Sequence, residues 1–236
     1  MSLELIDNND FRNLVRFSKN ISSELGIFSQ NDYVIMQSSD IFQKIFVDIY
    51  IDKTHFKSLE EFKNVNVNSI NLHQILLFAN RFSDIKIDFN DTNMDINIQF
   101  NNIIKKFKFP YSKKILDKKK IKINYNHSFQ INTKDFYEII KKCDEIGKEI
   151  IFEIKKNKIL FFNKGEFASI KIERKIDLDD DIDVKMKFNS KSLLSLSKLY
   201  KISENLNICF NKDLPIKITS NMKGIEINAF LVQENI

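Results

Sequence analysis

The chain has 236 residues, 43% of them hydrophobic and 29% charged, with a formal net charge of +5 at pH 7. This length suits one large domain or two of roughly 100–150 residues each, and the hydrophobic content excludes an intrinsically disordered chain. No stretch approaches the ~20 apolar residues of a membrane-spanning helix. The acidic start MSLELIDNND lacks an apolar signal core, so we expect a soluble protein that is not secreted.

The first half of the chain alternates amphipathic helices with strands. Asp10 is a favourable N-cap for a first helix in which Phe11 and Leu14 recur at helical spacing. A turn is predicted at Asn31-Asp32, and a second helix opens at Asn68-Ser69. Strands with period-two alternation are predicted for Tyr33 to Gln37, Phe42 to Ile51, Ile85 to Phe89, Met94 to Phe100 and Ile103 to Phe109.

A lysine-rich run, SKKILDKKKIK from Ser112 to Lys122, interrupts this pattern and predicts a solvated linker. After it, Thr133 or Asp135 caps a third helix, and Asn189-Ser190 opens a fourth. The strands predicted in this half are Glu149 to Lys155, Lys158 to Phe162, Phe167 to Glu173, Val184 to Phe188, Leu206 to Phe210, Ile216 to Thr219 and Ile225 to Val232.

The second half therefore repeats the first. Phe11 and Phe136 hold equivalent positions, as do Asn68-Ser69 and Asn189-Ser190, with similar separations. A repeat of this length indicates duplication of a whole domain, since solenoid units are only ~20–50 residues long. We predict one domain over residues 1–111, a connector over residues 112–123 and a second domain over residues 124–236.

The order and spacing of these segments resemble the proliferating cell nuclear antigen family of DNA sliding clamps over nearly the whole chain. The segments that carry the resemblance are DYVIMQSSDIFQKIFVDIYI, VNSINLHQILLFA, FQINTKDFYEIIKKCDEIG, MKFNSKSLLSLSKLYK and the ending FLVQENI. The resemblance implies an α+β clamp fold of two similar domains, each with two helices packed on antiparallel sheets. It further implies a homotrimeric ring with helices lining the hole, which encircles duplex DNA and serves as a polymerase processivity factor.

A clamp holds DNA without reading its sequence, and cationic side chains that touch phosphates achieve this. In the second helix Gln74 and Leu77 stand where the family usually has lysine, so His73 and Arg81 remain there. The alternative is that the cations merely solvate exposed helix faces. The DNA-binding candidates are Arg12, Arg16, Lys19, Arg81, Lys134, Lys141, Lys142, Lys191, Lys198 and Lys201.

The family also binds short partner peptides in an apolar groove beneath the connector, which implies a DNA polymerase and other replication or repair proteins as partners. The alternative is that the matching residues are ordinary core positions. The lysine-rich connector departs from the family and predicts a preference for acidic peptides or contact with DNA. The groove candidates are Ser39, Gln43, Lys44, Phe46, Leu116, Ile121, Pro215, Phe230, Leu231 and Val232.

A head-to-tail contact that closes into a ring pairs two different edges of each subunit, and unpaired edges are otherwise a liability. By position, the family contact joins the strand from Ile103 to Tyr111 with the strand from Phe167 to Lys175 of the neighbour. The interface candidates are Ile103, Lys105, Phe107, Phe109, Phe167, Ser169, Lys171 and Glu173.

Motifs for catalysis, cofactors or metals are not found in the sequence, so we expect no enzyme activity and no cofactor. The acidic loop from Asp177 to Asp183 mimics the start of a calcium loop, but Ile182 and Phe188 replace the glycine and glutamate that it needs. Cys143 and Cys209 have no paired spacing and are predicted to be buried, reduced thiols.

Three other hypotheses remain open. The chain is a monomeric or dimeric accessory factor that binds DNA by direct electrostatics, a subunit of a heteromeric checkpoint-type clamp, or a nuclease built on Asp84, Asp88, Asp91 and Asp95. For the leading hypothesis the partners are double-stranded DNA, a polymerase and a clamp loader, without a membrane. We expect the nucleus of a cell or a site of viral genome replication as its location.

Overall fold

The computed structural model describes residues 2–62, 64–113, 121–178 and 182–235. The chain packs into two compact units. The first unit comprises Met1–Ile41, Val47–Ile121 and Asn221–Glu226. The second unit comprises Phe42–Phe46, Lys122–Ser220 and Ile227–Ile236.

The first unit combines two helices with antiparallel sheets. One sheet has the strand order β5-β1-β7-β8-β9, and β6, β2, β3 and β4 are neighbours in another. In chain order its elements are β1 Ser2–Leu5, α1 Asn8–Ile21, β2 Glu24–Gln30, β3 Tyr33–Ser39, β4 Ile45–Asp52, a 3-10 turn Lys53–His55, β5 Phe56–Leu59, β6 Val65–Asn68, α2 Ser69–Leu76, β7 Asp84–Phe89, β8 Asn93–Phe100 and β9 Ile103–Pro110.

The second unit repeats this arrangement. One sheet has the order β13-β12-β11-β14, and β10, β15, β16 and β17 are neighbours in another. Its elements are β10 His127–Asn132, α3 Thr133–Asp144, β11 Glu149–Lys155, β12 Lys158–Lys164, β13 Ser169–Lys175, β14 Asp183–Asn189, α4 Ser190–Ser197, a 3-10 turn Lys198–Lys201, β15 Asn205–Phe210, β16 Ile216–Met222 and β17 Ile225–Leu231.

Helix α1 forms because its apolar residues fall on one face. Phe11, Leu14 and Val15 are 0–3% exposed, and helical spacing brings such residues together. The N-cap is Asp7, whose side chain accepts a hydrogen bond from the backbone N–H of Asn9 at 2.8 Å. The prediction that Asp10 is the N-cap is wrong by about one helical turn. Asp10 instead lies in the first turn, where a carboxylate interacts favourably with the helix dipole.

The other three helices all start from an asparagine at the end of a strand. Asn68 and Asn189 cap α2 and α4 through their side-chain oxygens, which confirms the predicted starts. Asn132 caps α3 by accepting from two backbone N–H groups, so the predicted caps Thr133 and Asp135 are wrong. Thr133 is buried instead, and its hydroxyl donates to the carbonyl of Ser203 at 2.5 Å.

Alternation along the strands builds the cores. In β7 the side chains of Ile85 and Ile87 are 0–1% exposed, while their sequence neighbours are exposed or half-buried. In β11 the side chains of Phe152 and Ile154 are fully buried in the same way. Helices α1 and α2 pack together in the first unit, and α3 and α4 pack together in the second. The predicted α+β class and the two-helix content of each half are confirmed.

Several short elements differ from the sequence prediction. The strand predicted from Phe42 begins only at Ile45, because the chain turns at Gln43 with a φ of 55°. Strands β1, β2, β5, β6 and β10 were not predicted. Of the predicted linker, residues 114–120 lie outside the described residues. Within the described ranges, no helix is long and apolar enough to cross a membrane.

Candidate nucleic-acid interface and partner sites

Helix α1 presents three cations on one face. Arg12, Arg16 and Lys19 follow at intervals of four and three residues, so they lie on the side opposite Phe11 and Leu14. Among the residues that the structure describes, no carboxylate forms an ion pair with any of the three. Their positive charge is therefore not neutralised locally.

His73 on α2 lies close to these cations. Burial lowers the pKa of His73 first, and the charges of Lys19, Arg16 and Arg12 lower it further. Its Nδ1 is buried and has no hydrogen-bond partner in the described part of the chain. His73 therefore stays neutral at physiological pH and adds no positive charge to the α1 face.

Arg81 does not lie on the predicted second helix. Helix α2 ends at Leu76, and Arg81 follows in the turn that precedes β7. Its guanidinium carbon lies 4.5 Å from the ring centroid of Phe82, whose side chain is 67% exposed. Such stacking fixes the position of the charge at the surface. The predicted weakness of α2 as a basic surface agrees with its exposed Gln74 and Leu77.

The predicted cations of the second unit fall into two groups. Lys134, Lys141 and Lys142 are exposed on α3 and form no ion pair among the described residues, although Glu138 and Glu145 share their helix face. Lys191 on α4 is neutralised: its Nζ lies 2.8 Å from Oδ2 of Asp144. The α3 face is therefore mixed in charge, and the α1 face carries the larger positive excess.

Two further predicted cations lie beyond α4. The helix ends at Ser197, so Lys198 and Lys201 belong to the 3-10 turn that follows and not to the fourth helix itself. The Nζ of Lys201 lies 5.5 Å from the ring of Tyr200. Tyr200 in turn stacks on Tyr137 of α3, with ring centroids 4.2 Å apart. This stack ties the turn to α3 and holds Lys201 at the exposed surface.

Many lysines on the sheets, in contrast, are paired with carboxylates. Lys57 on β5 contacts Asp84 at 2.5 Å, Lys158 on β12 contacts Glu173 at 2.8 Å, and further pairs hold Lys86, Lys155, Lys185 and Lys187. Exposed pairs of this kind add little stability. They do cancel local charge, so unpaired helix cations contribute more to the field around the molecule.

The groove candidates of the second unit come together around the C-terminal strand. The rings of Phe46 and Phe230 are 6.3 Å apart. The backbone N–H of Val232 donates to the carbonyl of Lys44 at 2.9 Å, and Lys44 Nζ lies 2.6 Å from Glu234. Phe46 is half-buried and the Val232 side chain is 41% exposed, which leaves apolar surface for a ligand.

The remaining groove candidates differ in their exposure. Pro215 is half-buried, and its carbonyl accepts from the Tyr125 hydroxyl at 2.8 Å. Leu231 is only 1% exposed and packs in the core, so its side chain is not presented at the surface. Gln43 is exposed, while Ser39 and Ile121 are half-buried residues of the first unit. Leu116 lies outside the described residues.

Sequence reasoning missed two apolar side chains beside the groove candidates. Ile41 is 83% exposed and Phe42 is 74% exposed, in the turn that precedes Lys44. Phe42 is the first residue of a predicted strand, and Ile41 lies outside the predicted strands. The polar run Ser38-Ser39-Asp40 before them is the turn signal that could have placed them in a loop.

Both strands predicted for subunit contact lie at sheet edges, as expected. β9 ends one sheet of the first unit, and β13 ends one sheet of the second. On β9, Ile103 is 61% exposed, whereas Phe109 is only 5% exposed and faces the core. Phe107 packs against Phe78 with ring centroids 5.2 Å apart. The remaining β9 candidate, Lys105, has its Nζ 5.5 Å from the Phe78 ring.

The candidates near β13 are more polar. Phe167 precedes the strand and is 94% exposed. Ser169, Lys171 and Glu173 are exposed on the strand itself. Lys171 Nζ lies 5.5 Å from the Phe162 ring, and Glu173 is paired with Lys158. Phe167 is therefore a large apolar side chain exposed beside this edge.

The carboxylates considered for a metal site do not converge. Asp84 pairs with Lys57, Asp88 with Lys86 and Asp91 with Lys113, while Asp95 accepts from Asn90. Across the described ranges, no three His, Cys, Asp or Glu side chains are grouped closely enough to hold a metal ion. Residues 179–181 of the acidic loop lie outside those ranges.

Both cysteines are free thiols, and burial raises the pKa of each. For Cys143, which is fully buried, burial raises the pKa to about 11. Cys209 is only half-buried. A raised thiol pKa keeps the sulfur protonated and poorly reactive at neutral pH.

Residues 120–235 match the family model described as the C-terminal domain of proliferating cell nuclear antigen. The chain is 22% identical to a DNA polymerase sliding clamp of Methanococcus maripaludis, with 96% of each chain covered. It is 18% identical to DNA polymerase sliding clamp 2 of Saccharolobus solfataricus, with 92% of each covered.

Two solved structures share the fold. The crystal structure of proliferating cellular nuclear antigen from Entamoeba histolytica has a TM-score of 0.90 at 15% identity, covering 99% of this chain and 98% of that one. The PCNA2-PCNA3 complex from Sulfolobus tokodaii gives 0.86 at 18% identity, covering 99% of each chain. The likeness extends over both units and establishes the clamp fold.

Proposed function

The chain is a divergent member of the proliferating cell nuclear antigen family of sliding clamps, and from this premise we propose that it encircles duplex DNA and tethers a polymerase to its template. The family is non-catalytic, and the protein is not an enzyme. Its task is to bind two kinds of partner at once, a DNA duplex and the proteins that work on it.

The observation that carries the DNA-binding proposal is the unpaired cationic face of α1. Arg12, Arg16 and Lys19 have no carboxylate partner among the described residues, while Lys57 and Lys158 on the sheets do. Contacts between such cations and phosphates release counterions and carry no sequence information. They suit a protein that must hold DNA and still slide along it. Within the second unit, the corresponding candidates are Lys134, Lys141 and Lys142 on α3.

We propose a homotrimeric ring closed by the edges β9 and β13. Both strands leave backbone N–H and C=O groups open on one side, which an edge of another subunit can pair. Exposed Ile103 and Phe167 supply apolar area at these edges. Because the two edges differ, the contact is head-to-tail, and such a contact closes into a ring when the rotation between neighbouring subunits allows it. A closed ring must be opened to admit DNA, so a clamp loader is the expected further partner.

We propose that partner peptides dock on the apolar surface around Phe46, Phe230 and Val232. Exposed Phe42 and half-buried Pro215 add to this surface. Apolar pockets with a few backbone hydrogen bonds suit short motifs that carry aromatic side chains. Polymerases and other replication or repair proteins are the expected ligands. The connector lysines, such as the exposed Lys122, favour peptides with acidic flanks.

The decisive experiment loads the protein with a clamp loader onto nicked circular DNA and then linearises the circle. A closed ring is retained on the circle and is lost from the linear DNA, because its link is topological. Multi-angle light scattering in parallel should give three times the 27.9 kDa chain mass. Equal retention on circular and linear DNA, or a monomer at micromolar concentration, would contradict the proposal.

Two alternatives have an observation in their favour. The net charge of +5 favours a monomeric or dimeric accessory factor that binds linear DNA by direct electrostatics, with steep salt dependence. The likeness to the PCNA2-PCNA3 complex favours a subunit of a heteromeric ring. The light-scattering measurement separates the first from a trimer. Reconstitution with a second clamp chain from the same source distinguishes a heteromeric ring from a homotrimer.

A further inference from the structure

Two tyrosines of the second unit stack on each other where α3 packs against the 3-10 turn after α4. The ring centroids of Tyr137 and Tyr200 are 4.2 Å apart, and their planes are inclined by only 29°. Both side chains are half-buried. Because each ring restricts the other, the two phenols form one rigid pair at the surface.

The backbone that carries this pair is anchored on both sides. On α3, Phe136 and Ile140 are fully buried. In the turn, Leu199 is fully buried, and its carbonyl accepts from the backbone N–H groups of Ile202 and Ser203 at 2.8 and 3.0 Å. Each tyrosine directly follows a buried residue of this kind, so the fold sets the positions of both phenols before any ligand arrives.

Exposed lysines flank the pair. Lys134 and Lys141 lie three residues before and four residues after Tyr137, which places all three on one side of α3. Lys201 directly follows Tyr200, and its Nζ lies 5.5 Å from the Tyr200 ring. Among the residues that the structure describes, none of these lysines forms an ion pair. Their charges therefore attract anions to the surface around the phenols.

The two phenol hydroxyls are available as donors. Neither makes a hydrogen bond within the described part of the chain, whereas the hydroxyls of Tyr111 and Tyr125 each donate to a backbone carbonyl. Neither oxygen is among the buried polar atoms that lack a partner, so solvent reaches both. A phenol O–H is uncharged and can donate to a phosphate oxygen.

This inference rests on the proposed DNA-binding function. We propose that Tyr137 and Tyr200 contact the duplex backbone by donating hydrogen bonds from their hydroxyls to phosphate oxygens. Glu138 and Glu145 offset part of the lysine charge on α3, so neutral donors contribute a larger share of binding here than on α1. A neutral donor displaces no counterion, and its contact persists at salt concentrations that screen the lysines.

The test measures the affinity of the full chain for a short duplex by fluorescence anisotropy across several salt concentrations. Tyr137→Phe/Tyr200→Phe removes both hydroxyls and keeps both rings. We expect affinity to fall about tenfold at every salt concentration, with an unchanged slope of log affinity against log salt. Lys134→Gln/Lys141→Gln should instead lower that slope by about 1.8, because two charged contacts are lost.

The matched control is Tyr33→Phe. Tyr33 is 42% exposed on β3 of the first unit, and this substitution also removes one hydroxyl and keeps the ring. It should bind the duplex as the native protein does, and thermal melts verify the folding of every variant. Native affinity of the double phenylalanine variant at all salt concentrations overturns the inference. A lowered salt slope in that variant also overturns it, because the lost contact would then be ionic.

A further pair of variants separates the hydroxyls from the rings. Tyr200→Phe should weaken binding roughly threefold, and Tyr200→Leu at least as much. A loss in Tyr200→Leu without a loss in Tyr200→Phe would assign the contact to the ring face, as in stacking on an unpaired base, and overturns the hydroxyl contact. A native protein without affinity for the duplex contradicts the proposed function as well, whereas equal binding by the native and phenylalanine proteins contradicts this inference alone.

Discussion

Lys191 at the start of α4 donates to Asp144 at the end of α3, with Nζ 2.8 Å from Oδ2. The Asp144 side chain is only 10% exposed, while that of Lys191 is 78% exposed. Ser190 donates to the other oxygen of the same carboxylate at 2.7 Å. The charge of Lys191 is therefore neutralised by Asp144, whereas Arg16 on α1 forms no ion pair among the described residues. Location on a helix therefore does not by itself make a lysine a phosphate contact.

The first prediction compares these two cations. The pair-deleting variant Lys191→Gln/Asp144→Asn leaves the net charge unchanged and should leave DNA binding unchanged. Arg16→Gln should reduce the slope of log affinity against log salt by about 0.9, as expected for one lost phosphate contact. Fluorescence anisotropy with a short duplex across several salt concentrations measures both slopes. A fall in slope for the pair-deleting variant would show that Lys191 exchanges Asp144 for phosphate.

The second prediction concerns the whole α1 face. Arg12→Gln/Arg16→Gln/Lys19→Gln should lower the same slope by about 2–3, because three phosphate contacts are removed. The matched control is Lys155→Gln/Lys158→Gln/Lys185→Gln, which removes the same charge from paired lysines on the sheets. The control should bind DNA as the native protein does. Similar losses in both variants would mean that only the net charge matters.

The third prediction tests the proposed ring. Ile103 is 61% exposed on the edge strand β9. In a closed ring Ile103→Glu would bury an unpaired charge, which is strongly unfavourable. The association should weaken more than tenfold, and light scattering should report the monomer mass of 27.9 kDa. Ile6→Glu is the control, since Ile6 is 57% exposed and follows β1 away from the edge. Equal effects of both substitutions would remove β9 from the interface.

Much of this fold is predictable because the decisive signals are local. The helices follow from apolar residues at helical spacing, as Phe11 and Leu14 illustrate in α1. Asn68 and Asn189 are readable as helix starts because a cap acts within three residues. The long strands follow from alternation over seven or eight residues. Local rules of this kind need no knowledge of the partner strand.

The errors have non-local causes. Strands β1, β5 and β6 have four residues each, and they exist because a distant strand pairs with them. Thr133 looks like a cap, but its hydroxyl donates to Ser203, which is 70 residues away. Lys191 and Asp144, which form an ion pair, are also far apart in the sequence. Sequence reasoning therefore identified the cation but not the carboxylate that neutralises it.

The fourth prediction concerns the junction after α3. Asn163 is 1% exposed, and its Nδ2 donates to the carbonyls of Cys143 and Gly147 at 2.7 and 2.9 Å. Asn163→Ala leaves both carbonyls without this donor and should reduce the free energy of unfolding by about 2–3 kcal/mol. Urea denaturation measures the change. The control is Lys164→Ala, at the next position, where the side chain is exposed. It should change the free energy of unfolding by no more than about 0.5 kcal/mol. A similarly small change for Asn163→Ala would contradict the role assigned to its amide.

The fifth prediction is a loss of stability at alkaline pH. Burial raises the pKa of Cys143 to about 11 and that of Tyr125 to about 12, above the ordinary values of 9.0 and 10.0. Between those values the folded state keeps protons that the unfolded state has lost. The free energy of unfolding is therefore highest below about pH 9 and falls as the pH rises toward 12.

Urea midpoints at a series of pH values from neutral to alkaline measure this loss. Cys143→Ala lowers stability at every pH through the space it leaves, but it should also flatten the alkaline decline, because one of the shifted groups is gone. The slope of stability against pH separates the two effects, because the destabilisation caused by a cavity does not depend on pH. A decline as steep in Cys143→Ala as in the native chain would show that the buried thiol does not contribute to it.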